Sequence, residues 1–118
     1  MILAVTSSGE KLQSSFSPHF GRAEFFVLLD TNNNGVSVIA NAANLNMAQG
    51  AGQAAKRIVD SEVQVLITGH VGPGAFSALE AAKVQIYSAC RGTVAELIEQ
   101  FKAEQLKVVH SADVAGHP

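Results

Sequence analysis

Apolar positions along the chain come in two periods, and the switch between them divides it. In the first third, Ile2–Thr6 and Glu24–Leu29 are short runs apolar on both faces, the pattern of strands covered on two sides. Between the second run and Val36–Ala40 lies Asp30-Thr31-Asn32-Asn33-Asn34-Gly35, a turn cluster ending in Asn-Gly, whose residues tolerate positive φ, so the two runs close into a hairpin. Beyond it the period changes. From about Ala48 to Asp60 the positions Ala51, Ala54, Ala55, Ile58 and Val59 share one helical stripe. Val63–Thr68 is again a strand pattern, Pro73 opens a helix whose buried side is Ala75, Phe76, Leu79 and Ala82, and Val84–Tyr87 is a short strand. Thr93-Val94-Ala95-Glu96 is a capping box, followed by Leu97, Ile98 and Phe101 at helical spacing.

The order β-β-β-α-β-α-β-α predicts an α/β fold, a three-layer α/β/α domain with a five-stranded mixed sheet, the helices reaching both faces by right-handed crossovers. A single domain is expected over 1–106, with 107–118 as a partly frayed tail, since the polar, glycine-containing residues after Leu106 lack either period. With 118 residues, 47% hydrophobic and 15% charged, the chain suits one core. A net charge of −2 leaves no basic field for a phosphate backbone, so nucleic acid is not an expected partner. One cysteine, Cys90, and an opening too short and uncharged for a signal peptide fit a cytoplasmic setting. No apolar run approaches the ~20 residues of a membrane-spanning helix, so no membrane association is expected.

If strands one, three, four and five run one way and strand two the other, the loops Ser7–Ala23, Asn41–Gly50, Gly69–Gly72 and Ser88–Gly92 share the carboxyl edge, where open α/β sheets bind ligands. His19 and Arg22 lie in the first, His70 in the third, and Cys90 and Arg91 in the fourth; Gly50 and Gly52 open the helix after the second. Three helix N-termini, two arginines and two imidazoles would then face an anionic ligand. Each residue also has an ordinary role: a loop histidine caps or hydrates, a strand-end histidine closes a turn, and a single cysteine is a small hydrophobe. Imidazole is a common metal donor, which puts His19 first as a metal ligand, with His70 and Cys90 behind it. His110 and His117 have no site-like spacing. Gly50–Ala55, "GAGQAA", matches a nucleotide fingerprint in form only, because no strand directly precedes it and no acidic residue follows about 20 positions on. The serines near His19 have no acidic residue close in sequence to orient its ring, and no carboxylate cluster can be assembled, so no enzyme activity is expected.

"SPHFGRAEFFVLLD" at 17–30, "GAGQAAKRIVD" at 50–60, "VLITGHVGPGAFSAL" at 65–79 and "TVAELIEQF" at 93–101 together resemble the dinitrogenase iron–molybdenum cofactor biosynthesis family, over roughly residues 1–106. The resemblance implies a ribonuclease H-like fold without nuclease activity, and a domain that binds, carries or stores an iron–sulfur or molybdenum–sulfur cluster or its precursor. It implies contact through His19, with Phe20, Gly21 and Arg22 shaping the loop and Gly69, His70 and Gly72 in support. Metallocofactor assembly proteins are the implied partners of a monomer or small homo-oligomer. The chain looks like the small stand-alone branch, having neither a cysteine-rich motif nor added helical domains. The alternative is a regulatory or scaffold domain binding a protein partner through the same loop edge.

Overall fold

Alternation within the strands decides which layer each residue joins. In the computed structural model, which describes residues 1–41 and 50–109, β1 (Ile2–Ser7) sends Leu3 and Val5 to one face of the sheet and Ala4 to the other. The same division holds in β2 (Phe25–Asp30) and β4 (Val65–Thr68): Val27, Leu29, Val65 and Ile67 join Leu3, whereas Phe26, Leu28 and Leu66 join Ala4. Two cores result. One lies under α1 (Gly50–Asp60) and α2 (Pro73–Ala81), through Ala54, Ala55, Ile58, Phe76 and Leu79; the other lies under α3 (Val94–Lys102), through Val94, Leu97 and Ile98. The expected three layers are therefore present, with both faces of the central strands covered.

The strands β3 (Gly35–Ala40), β5 (Gln85–Ser88) and β6 (Lys107–Val108) complete a sheet of order β3-β2-β1-β4-β5-β6. β1, β4 and β5 are parallel, β2 is antiparallel to β1, and β3 is antiparallel to β2. The polarity needed to gather the four loops on one edge is thus observed. The sheet has six strands, however, not the expected five. Lys107 and Val108, assigned from the sequence to a frayed tail, pair antiparallel with Ser88 and Tyr87, and Val109 N donates to Ile86 O at 2.7 Å. A two-residue edge strand with both residues exposed has no period to read, and tertiary packing of half-buried Leu106 and Val109 on opposite cores sets it. Residues 42–49, which include most of the second edge loop and the expected helix start at Ala48, lie outside the described residues, as do His110 and His117.

All three helices stop in the same way. Glu62, Lys83 and Glu104, at φ of 61°, 64° and 59°, take the left-handed conformation just past each helix. Val63 N, Val84 N and Gln105 N then reach back to Ile58 O, Leu79 O and Gln100 O, the six-to-one bond of a Schellman cap. No helix among the described residues is long and apolar enough to cross a membrane.

Candidate functional site

The long segment after β1 builds the carboxyl edge by hydrogen-bonding to three neighbours in turn. It first crosses α3: Val94 N donates to Ser14 O at 3.0 Å and Ala95 N to Leu12 O at 2.8 Å, while Phe16 N donates to Gly92 O at 2.8 Å. It then returns over β1, where Ser17 N donates to Thr6 O at 3.0 Å. Finally it lies along the end of β4: His70 N donates to Pro18 O at 2.6 Å and Phe20 N to His70 O at 3.1 Å, an isolated parallel bridge between His19 and His70.

That bridge sets the site. With their backbones paired side by side, the two imidazoles stack, centroids 5.1 Å apart and planes 25° from parallel, both exposed. The next residue, Phe20, is 1% exposed and packs on Phe26 with ring centroids 5.6 Å apart. This aromatic anchor pins the short 3-10 turn Phe20–Arg22, of which Gly21 is the centre and His19 the entry. Arg22 closes the turn, exposed and without an ion pair among the described residues. Gly69 is needed for steric reasons, because an added Cβ would run into the Pro18 carbonyl that receives the His70 amide. Gly72 has no such constraint: its φ is −73° and a Cβ there would meet nothing within 4 Å.

Two threonines that the sequence analysis did not single out hold the two loops together. Thr6 Oγ1 donates to Ser17 O at 2.6 Å and lies 3.0 Å from Thr68 Oγ1, with both residues fully buried. The signal was present: near the ends of β1 and β4 a threonine is followed by a small residue, "VTS" and "ITG". Asn41 was likewise missed; it is 2% exposed, and its Nδ2 donates to Ala23 O at 2.8 Å, tying down the far side of the turn.

The helix N-termini do not all converge as expected. At α3 every early amide is satisfied from within the chain: Thr93 N by Glu96 Oε1, Val94 N and Ala95 N by the crossing loop, and Glu96 N by Thr93 Oγ1. Nothing is left there for an anion. At α2, Pro73 has no N–H and Phe76 N donates to Gly72 O, while Gly74 N and Ala75 N have no partner among the described residues. The start of α1 adjoins residues that are not described. Cys90 and Arg91 are exposed beyond β5, and among the described residues no group of three or more His, Cys, Asp or Glu could hold a metal ion. Among the described residues the rim offers the two imidazoles, the Arg22 guanidinium and the first turn of α2. It can hydrogen-bond and charge-pair with an anion, and its described residues do not surround a bare metal ion.

The family described as dinitrogenase iron-molybdenum cofactor matches residues 1–104. The apo form of the orange protein from Desulfovibrio gigas superimposes with a TM-score of 0.90 and 32% identity, covering 95% of each chain. A Thermotoga protein placed in the DUF35 family superimposes with a TM-score of 0.82 and 30% identity over 98% of each chain. An uncharacterized protein of Methanocaldococcus jannaschii is 29% identical over 94 residues, 77% of this chain and 80% of its own length.

Proposed function

From the premise that this chain belongs to the dinitrogenase iron–molybdenum cofactor family, we propose that it is a non-catalytic domain that binds a preformed, anionic iron–sulfur or molybdenum–sulfur cluster, or its precursor, and carries or stores it during metallocofactor assembly. The observation that carries this is the stacked, exposed His19–His70 pair, fixed by backbone hydrogen bonds between the ends of β1 and β4. A cluster already supplies sulfide ligands to its metals, so two imidazoles, as donors to sulfide or as one or two terminal ligands, suit it better than they suit a naked cation. Arg22 adds a guanidinium suited to a delocalised anion.

Loop serines support the non-catalytic part: Ser7 Oγ donates to Gly9 O and Ser14 Oγ accepts from Lys11 N, so both are turn formers. We also take the scaffold to be ribonuclease H-like, a reading favoured by the order of the first five strands with only β2 reversed. The setting is cytoplasmic and the partners are the proteins that donate and accept the cluster. The structural relative solved as an apo form is consistent with a protein that also has a loaded state.

The test is anaerobic incubation with tetrathiomolybdate or a synthetic iron–sulfur cluster, followed by metal analysis and visible absorption. A coloured 1:1 complex is expected, weakened about 10- to 100-fold by His19→Ala, the worth of one hydrogen bond to a charged group. Equal loading of variant and wild type removes His19 from the site. A protein partner retained equally with and without metal, and no loading at all, would favour the scaffold role.

A further inference from the structure

The two edges of the sheet are built differently. At one end β6 is two residues long and carries Lys107, a short, charged strand of the kind that discourages pairing with another chain. At the other end β3 has the sequence Gly35-Val36-Ser37-Val38-Ile39-Ala40: six residues with no charge, no proline and, across six consecutive pairs with β2, no bulge. Among the described residues, no charge, proline, bulge or covering element blunts this edge.

The direction of its backbone groups follows from the flanking bonds. Thr31 N donates to Met1 O, so the odd residues of β2 turn toward β1 and the even ones, Phe26, Leu28 and Asp30, turn toward β3. Their partners are Ile39, Ser37 and Gly35, and Asn41 N, donating to Glu24 O, continues the series. Val36, Val38 and Ala40 therefore direct their N–H and C=O groups off the sheet, and none of these has a partner among the described residues. Their side chains share the α3 face. Val36 is 46% exposed and, with Leu12, Leu29 and Ile98, lines a hollow of about 230 Å³.

We propose that β3 pairs antiparallel with β3 of a second copy, about a two-fold axis at Val38, joining two six-stranded sheets into one. In that register Val38 faces Val38 and Val36 faces Ala40, and each of the three outward residues exchanges both backbone groups across the seam. A second copy suits this edge better than an unrelated strand. The stripe is self-complementary when reversed, and its lack of charge means that no like charges meet, while nothing along it would select a foreign sequence. The seam of six residues buries less than the roughly 1,200 Å² of a standard stable interface, so the dimer is weak and forms at high concentration. Because β3 is separated from β4 by two strands, about 14 Å at ~4.8 Å per step, the seam leaves the His19–His70 rim open. The two rims face opposite ends of the joined sheet.

Sedimentation velocity from about 10 µM to about 1 mM tests this, a range matched to a weak association. The wild type is expected to rise toward twice the monomer mass. Val36→Lys combined with Ala40→Lys sets lysine against lysine twice and should stay monomeric throughout; Val36→Lys combined with Ala40→Glu sets lysine against glutamate and should associate again. Both positions are exposed, so far-UV circular dichroism should be unchanged in each. A wild type monomeric at the top of the range, or two double variants that associate equally, overturns the proposal.

Discussion

At the scale of single residues, the site depends on where backbone can approach backbone. Gly69→Ala keeps both imidazoles, yet its methyl must displace the Pro18 carbonyl that bridges the two loops. We expect this variant to lose cluster loading about as fully as His19→Ala, and the bridge to fail in amide hydrogen exchange at His70. Gly72→Ala is the contrasting case. Its methyl enters open space at an ordinary φ, so thermal stability should stay within about 0.5 kcal/mol of wild type. A loss of loading without a loss of stability would then place the cluster against the first turn of α2. His19 and His70 could be named from the sequence because loop imidazoles at strand ends are conspicuous. Thr6, Thr68 and Asn41 were passed over because a buried hydroxyl or amide looks like any other polar residue until its partner is known.

At the scale of elements, local chemistry was legible where it is contained in a few neighbouring residues. The Thr93–Glu96 capping box forms with both halves, Glu96 N to Thr93 Oγ1 at 3.2 Å and Thr93 N to Glu96 Oε1 at 2.8 Å. Thr93→Ala should cost about 1 kcal/mol in urea denaturation. Helix ends were less legible because none uses glycine. Glu62, Lys83 and Glu104 hold left-handed backbone at a cost of roughly 1–2 kcal/mol each relative to the right-handed form, a strain that glycine avoids. Exposed Glu104→Gly is accordingly expected to stabilise the protein by about 0.5–1 kcal/mol, after allowing for the greater freedom of glycine in the unfolded chain. A drop in the urea midpoint would show that the Glu104 side chain contributes more than its backbone costs. The capping box also explains a failed expectation: the helix it starts has its remaining early amides filled by Leu12 and Ser14, so α3 gives the rim no anion cradle.

At the scale of the molecule, the rim and the β3 edge are independent surfaces on one sheet. Loading should therefore remain one cluster per chain whether the protein is dilute or concentrated, as metal analysis on either side of the association midpoint would reveal. On the proposed binding by charge and hydrogen bonds at an exposed rim, affinity should fall as salt rises from about 0.1 M to about 1 M, where the screening length drops from ~10 to ~3 Å. Affinity insensitive to salt would instead indicate direct ligation by imidazole.

The order of strands and helices, the two-faced burial of β1, β2 and β4, and the edge that collects the loops all followed from the sequence. Each depends on periodicity or on the handedness of crossovers, properties that a chain carries along its own length. Tertiary structure alone decided that β6 joins the sheet, that the loop after β1 closes the start of α3, and that His19 and His70 stack. These are matters of which distant backbone groups find each other, and a hydrogen bond between residues 70 and 18 leaves no local trace in either segment.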